Sequence, residues 1–271
     1  MNLNINIFIP ARASYVNNIG NGSDFGGGNS PTKNLAPFAH PTVYNFAWIG
    51  ASDNGAYRLK ENFGGEYHNS IFTNFKYVFR VDDAVDPTQN IAKQIADGNL
   101  KFNNNIFWNM ADYDGTTASL TKDGYANELA LYAQTGNACI NPFIRGISYT
   151  ANSGLDPHPY TGGFAGLSST TRSTLPSSDS FFVTADYHGT FDPSASGTWM
   201  DGWSRLAEDS HIESINTTTS DQDGDGLSFS AEVTVGTDPN DADTDNDGSN
   251  DSADSSPLDG SVGRDPIYPG H

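Results

Sequence analysis

The residues best suited to chemistry in this 271-residue chain lie near its C-terminal end. Asp221, Asp223, Asp225, Gly226 and Glu232 stand at positions 1, 3, 5, 6 and 12 of a short loop. In that spacing, D-x-[DN]-x-[DN]-G-x5-E, alternate carboxylates of a tight turn face inward and ligate calcium. Gly226 supplies the sharp turn, Leu227 at position 7 offers its backbone carbonyl, and Glu232 has the reach to close the site with two oxygens. Twenty-two residues later the scheme repeats, with Asp243, Asp245, Asp247, Gly248, Ser249, Asp251 and Asp254 at positions 1, 3, 5, 6, 7, 9 and 12. Asp in place of Glu at position 12 points to a single closing oxygen, or to an ion shared with a neighbouring loop. The expected metal ligands are therefore Asp221, Asp223, Asp225, Leu227, Glu232, Asp243, Asp245, Asp247, Ser249, Asp251 and Asp254. Magnesium fits less well, because these loops offer more oxygens than an octahedral ion accepts.

Charge supports a cation. Residues 221–259 hold 11 Asp and one Glu and no Lys or Arg, which is −12 of the formal −20. Like charges at that density, with few apolar groups, cannot hold a compact fold by burial. The stretch is either a solvated acidic linker or is neutralised by cations, and Gly twice at position 6 with an acid twice at position 12 favours cations. Flanking helices are poor: only residues 228–235 could form a short turn, and the second loop runs into Ser255, Ser256 and Pro257. Calcium here reads as a scaffold and not a switch.

The string from Asp221 to Asp259, with its Gly236-Thr237-Asp238-Pro239 connector and its closing Pro257-Leu258-Asp259, resembles the thrombospondin type 3 calcium-binding repeats of secreted bacterial proteins. The resemblance implies calcium as the cofactor and an extracellular or bacterial cell-surface location. A cellulosome dockerin has two Asp-rich loops at similar spacing, but there each loop is followed by an amphipathic helix that this sequence lacks.

The body that must carry these loops is rich in turn formers: 28 Gly and 27 Asn, about a fifth of the chain. Residues 42–109 hold three segments in an Asn-led frame, NFAWIG at 45–50, NSIFTN at 69–74 and NNIFWN at 104–109. The first two begin 24 residues apart and the third follows after 35; a looped-out 86–98, with a short helix through Ile91, Lys93 and Ile95, absorbs the excess. Short β-rich runs, Ala56-Tyr57-Arg58-Leu59 and Tyr77-Val78-Phe79-Arg80-Val81, lie between. A period in the low twenties suits one rung of a solenoid, whose stacked rungs bond above and below and bury a shared apolar column. Aligned Asn residues would form ladders at the turns. The expected fold is mainly β, a right-handed parallel β-helix with an irregular cap and a C-terminal calcium-loop segment, with a β-sandwich as the alternative. The expected division is a body at 1–210, with rungs at about 35–110 and a cap at about 111–210, then an acidic connector at 211–271.

Pro41-Thr42-Val43-Tyr44-Asn45, residues 55–61, 78–83 and 99–104, and an exit segment at 154–157, 185–191 and 199–203 resemble the last coils of large secreted β-helix proteins of Bacteroidetes-type marine bacteria. The resemblance spans roughly residues 35 to 207 and rests on structural motifs, so it implies a fold and no activity. Members usually carry further coils upstream, which makes this chain read as the C-terminal part of such a protein. Met1 to Ser14 ends in an Ala-x-Ala step of the kind a signal peptidase accepts but has no positive charge ahead of it. The alternation of Leu3, Ile5, Ile7 and Ile9 with Asn2, Asn4, Asn6 and Phe8 reads instead as a strand.

Several classes are disfavoured. A charge of −20 is wrong for nucleic acid, and no run of about 18 apolar residues occurs to span a bilayer. Cys139, alone, makes no disulfide or thiolate cluster and reads as a small core residue. Asp82-Asp83, His188-Gly189 and Arg58-Leu59-Lys60 resemble the polygalacturonase set, but the Arg-x-Lys element comes first here and last in that family. Asp82 and Asp83 are expected to cap a turn or bind Arg58 or Arg80. A lyase wants Lys or Arg beside calcium, and all six lysines precede residue 123. Trp199 and Trp203, four apart, read as locks at the domain's end. The resulting expectation is an extracellular calcium-binding structural or adhesive protein of the bacterial surface, with glycan as a candidate partner. A polysaccharide lyase or glycoside hydrolase is the alternative, and the balance is against an enzyme.

Overall fold

The computed structural model describes residues 23–26, 40–50, 55–60, 63–82, 90–110, 120–123, 126–149, 154–160, 185, 187–195, 197–212 and 221–261. The expected N-terminal strand or leader and Asp83 lie outside these residues. The chain divides into two compact units, Met1–Asn141 with Gly166–Thr190, and Pro142–Ala165 with Phe191–His271.

In the first unit the strands are β1 (Ser23–Gly26), β2 (Thr42–Tyr44), β3 (Ala47–Ile49), β4 (Tyr57–Lys60), β5 (Gly65–His68), β6 (Ile71–Thr73), β7 (Phe79–Asp82), β8 (Leu100–Asn103), β9 (Ile106–Trp108) and β10 (Ala138–Cys139). They pair in parallel as three small sheets, β1-β4-β7, β2-β5-β8 and β3-β6-β9-β10. The Asn-led frame is the device that moves the chain between sheets. Asn45, Asn69 and Asn104 hold φ of 54°, 55° and 57°, a left-handed conformation that Asn tolerates better than most residues, and each turns one strand into the next within two residues. The next residue in each frame continues a ladder: the Phe46 N–H donates to Ser70 Oγ at 3.1 Å, the Ser70 N–H to Asn105 Oδ1 at 3.0 Å, and the Asn105 N–H to Asn137 Oδ1 at 3.0 Å. Buried backbone donors at the bends are thereby satisfied.

In register, Trp48 pairs with Phe72 and Phe72 with Phe107, while Tyr57 aligns with Phe79 and Tyr67 with Phe102. These side chains form one buried aromatic cluster, with Tyr67 stacked on Phe102 at 4.7 Å and Phe72 on Phe107 at 5.3 Å. Each fully buried ring contributes roughly 2–3 kcal/mol of apolar burial. The long step between the second and third frames contains α1 (Ile91–Ala96), capped by Asn90 Oδ1, which accepts from the Lys93 N–H. The helix expected through Ile91, Lys93 and Ile95 is therefore present. In α2 (Ala126–Tyr132), buried Glu128 accepts from the Val81 N–H at 2.8 Å and the Asp123 N–H at 3.1 Å. Residues 187–190 cover the other side of β3 and β6: Thr190 Oγ1 accepts from the Ala47 N–H, and a side chain at Gly189 would strike Ile71.

The right-handed parallel β-helix expected from the repeat is corrected by these sheets. Among the described residues the strands are two to four residues long and lie in several separate small sheets, with no closed solenoid. The three or four visits to each sheet come at unequal steps, 24 then 35 residues along β2-β5-β8 and β3-β6-β9 with α1 inserted in the longer step, and do not make a uniform coil. A β-sandwich does not form either, because the pairing in these sheets is parallel.

The second unit holds the antiparallel pair β11 (Ile144–Gly146) and β12 (Asp156–Pro159), the short α3 (Arg205–Glu208) and α4 (Phe229–Val235). Asp156 is the buried hub of the pair, 3.1 Å from Arg145 Nε and 2.5 Å from His158 Nδ1. Phe229 of α4 packs edge-on against Tyr160 at 4.8 Å. Asn240 donates to the Ile144 carbonyl at 2.9 Å and accepts from the Ile147 N–H at 2.8 Å, which ties the acidic segment to this hairpin.

Candidate metal centre

The two acidic loops fold alike at positions 1, 3, 4, 5 and 6. Position 4 is left-handed in both, Gly224 at φ 82° and Asn246 at 61°, and so is position 6, Gly226 at 106° and Gly248 at 99°. At position 1, Asp221 Oδ2 accepts from the Gly226 N–H at 3.0 Å and Asp243 Oδ2 from the Gly248 N–H at 2.9 Å. At position 3, Asp223 Oδ1 and Asp245 Oδ1 each accept, at 3.2 Å, from the N–H two residues on. At position 5, Asp225 Oδ1 accepts from Leu227 N–H and Asp247 Oδ1 from Ser249 N–H. These side-chain turns, which Asp makes readily, aim the carboxylates of one loop at a common centre. Asp221, Asp223 and Asp225 each place an oxygen within 4.8 Å of the others, and Asp243, Asp245 and Asp247 do the same. Leu227 and Ser249 follow the glycine, where the backbone carbonyl is the group on offer.

Glu232 is fully buried in the first turn of α4, which Ser228 caps, so a helix positions the closing acid of the first loop. Burial, then the charges of Asp223, Asp225, Asp238 and Asp251, raise its pKa to about 9. Burial likewise lifts Asp223 to about 6, with Asp225 and Asp221 adding to it. In the second loop burial raises Asp245, with Asp247, Asp254 and Asp243 adding repulsion, which puts Asp254 in that loop's electrostatic group. Asp251 faces elsewhere: it accepts from Thr244 N–H and Oγ1, and feels Asp225 and Asp243.

Spacing alone does not reach Asp238 and Asp241. Asp238 is buried, and Asp241 is raised to about 6 by its own burial and then by Asp238. Together with Glu232 and Asp251 they form a group of acids between the loops. Asp225 joins the loops directly, its Oδ2 accepting from the Ser252 N–H at 2.9 Å and its carbonyl from Ser252 Oγ. The Gly236-Thr237-Asp238-Pro239 connector was the available signal, but as a string it reads as a turn.

A hard cation fits this arrangement. Five carboxylate oxygens, Asp223 Oδ2, both of Glu232, Asp245 Oδ2 and Asp254 Oδ2, are buried without a hydrogen-bond donor. A buried charge in that state costs several kcal/mol, and no Lys or Arg occurs in residues 221–259 to relieve it. An all-oxygen donor set with carboxylates in excess is what calcium accepts.

The residues considered for sugar chemistry do not assemble as an acid and base. Asp82 accepts from Arg58 Nε at 2.6 Å and Arg80 Nε at 2.8 Å. Its burial works to raise its pKa, and the two guanidiniums outweigh that and lower it, the reverse of what a general acid needs. Lys101 and His68 likewise outweigh burial at Glu66 and lower it. His188 is buried. Trp48 lies in the aromatic cluster.

No curated protein and no solved structure matches this chain, so the likeness of residues 35 to 207 to surface β-helix proteins stands without support. The bacterial TSP3 repeat, a calcium-binding repeat, matches residues 221–242, which take in the first loop, α4 and the connector.

Proposed function

We propose that residues 221–261 are a calcium-binding module, and that the chain is an extracellular protein of the bacterial surface with a structural or adhesive role. Asp221, Asp223, Asp225, the Leu227 carbonyl and Glu232 hold one ion. Asp243, Asp245, Asp247, the Ser249 carbonyl and Asp254 hold another, with Asp251 at the junction. The bound ion supplies the positive charge that the segment lacks, and so lets closely spaced carboxylates stay buried together. Calcium thereby stiffens the acidic segment of the second unit, which Asn240 ties to the β11–β12 hairpin. The observation that carries this reading is the set of buried carboxylate oxygens without donors in both loops.

An extracellular location agrees with the repeat, which occurs in extracellular proteins, and with weak extracellular calcium modules working at about 10⁻⁴–10⁻³ M. No helix among the described residues is long and apolar enough to cross a membrane. Calorimetric titration of the chelated protein with Ca²⁺ tests the module. Asp223→Ala and Asp245→Ala should each remove the heat of one loop, and unchanged heat in both refutes the ligand assignment. Glycan arrays read with and without chelator test the adhesive role. Bound, unaltered sugar supports it, and unsaturated or newly reducing ends overturn it.

A further inference from the structure

The second unit carries an aromatic column that runs from its interior to solvent. Phe191 is buried, Trp199 is 45% exposed and Trp203 is 63% exposed. Their rings are near parallel, Phe191 to Trp199 at 6.1 Å and 14°, Trp199 to Trp203 at 5.6 Å and 29°. His158 closes the inner end, its ring edge-on to Phe191 at 5.3 Å. The outer end is fixed as firmly. Trp203 Nε1 donates to the Trp199 carbonyl at 2.7 Å, Thr198 Oγ1 to Asp201 Oδ1 at 2.7 Å, and Ser204 caps α3 immediately after. An indole that only locked a domain end would be covered. Trp203 is held in place and left open, and among the described residues no further ring stacks on it.

We propose that the outer face of Trp203, backed by Trp199 and Phe191, is a stacking site for a pyranose ring of a neutral polysaccharide. This gives the proposed adhesive role a site and rests on that role, but it does not depend on the calcium module. A flat indole face carries negative quadrupole charge and meets the apolar, C–H-rich face of a sugar ring. The parallel rings make a platform and not a cage, and a quaternary ammonium is held by faces that converge on it. The surrounding charge selects among sugars. Asp201, Glu208 and Asp209 flank the column in sequence, and Arg205 is already paired with Glu208 and Asp209. Three acids against one cation leave this stretch net negative, which disfavours uronates and sulfated sugars, as does a chain of formal charge −20. Two half-open indoles are also far below the roughly 800 Å² per partner of a stable protein interface. The occupant they fit is one sugar ring.

The test uses the full, calcium-loaded chain and titrates cellohexaose, xylohexaose, mannohexaose and laminarihexaose, read by tryptophan emission and by calorimetry. At least one should give a saturable change. Trp203→Ala should weaken that binding about tenfold or more, the worth of one ring face, with only a small drop in the unfolding midpoint, because the mostly exposed side chain gives up one hydrogen bond and one stack. Trp203→Tyr, which restores a ring, should recover most of it. The proposal fails if no neutral oligosaccharide binds, if Trp203→Ala binds as well as the parent, or if polygalacturonate or tetramethylammonium binds at Trp203 in their place. Self-association that depends on Trp203 overturns it as well.

Discussion

Calcium entering these loops must expel protons, and their number follows from the side chains it meets. Glu232, held at about 9, is almost wholly protonated at pH 7 without the ion, while Asp223 and Asp241, at about 6, each keep roughly a tenth of a proton. Loading at pH 7 therefore releases about 1.2 protons from these three groups, and at pH 6, where the two aspartates are half protonated, about two, with Asp245 and Asp251, also raised, adding to both. Calorimetry in pairs of buffers of equal pH and different ionisation enthalpy measures this, since the slope of apparent heat against buffer enthalpy is the proton number. PIPES and imidazole serve at pH 7. Glu232→Gln should lower the slope at pH 7 by about one. A slope of zero at both pH values, or one that Glu232→Gln leaves intact, would show that these acids are ionised before the metal arrives and that the buried cluster is wrongly drawn. The same shifts fix the sign of the pH dependence of stability. All three groups titrate higher folded than the roughly 4 of a free carboxylate, so what they contribute to the metal-free fold is complete below about pH 4 and disappears as the pH rises through 6 and then 9. The chelated protein should melt lower at pH 8 than at pH 5, and added Ca²⁺ should raise the midpoint more at pH 8. A chelated protein that melts higher at pH 8 would contradict the shifts.

Three substitutions probe the scaffold. Asn240→Ala removes the bonds to the Ile144 carbonyl and the Ile147 N–H; it should cost about 2–3 kcal/mol in denaturant unfolding followed in the second unit, and a loss under 0.5 kcal/mol would deny the tie between acidic segment and hairpin. Asn105→Ala empties a fully buried position whose side chain serves the Ser70 N–H, the Tyr67 carbonyl and Asn137. About 2–4 kcal/mol should be lost, with the damage reported by near-ultraviolet circular dichroism of the aromatic cluster. Ser252→Ala leaves every expected ligand in place but removes the hydroxyl that donates to the Asp225 carbonyl. The two calcium steps should become less coupled, by about fivefold in the ratio of their constants for one hydrogen bond, and an unaltered two-step isotherm would mean that the loops bind independently.

What could be foreseen follows the range over which the physics acts. The helix α1 is local, set by a cap and an apolar spacing, and stands where its segment predicts; the left-handed bends at Asn45, Asn69 and Asn104 are local too, at a residue type that tolerates them, though the frames themselves read only as strands. Joining those bends into a uniform coil was a further step that local signals do not license. Whether successive turns close depends on equal steps and continuous strands, and here the step changes from 24 to 35 residues while strands stop at four. The Asn105 to Asn137 contact depends on α2, which carries no frame of its own. The column ending at Trp203 was equally out of reach, because its root, Phe191, and the edge of His158 come from distant segments.

The acidic loops obey the same division. Positions 1, 3, 5 and 6 are legible because a turn of six residues makes its own geometry, with Asp side chains bonding backbone two to five residues on. Asp238 and Asp241 were missed because their place is set by what folds against them: α4 carries Glu232 back toward the connector, and Ser252 draws the second loop onto Asp225. That contact has a physical consequence for the order of events. Until a cation arrives, the step that joins the loops also brings Glu232, Asp225, Asp238 and Asp251 into mutual repulsion. Closing the junction and neutralising it are thus coupled: a proton on Glu232 or a bound cation relieves the repulsion, and the metal-free junction weakens as the pH rises toward 9.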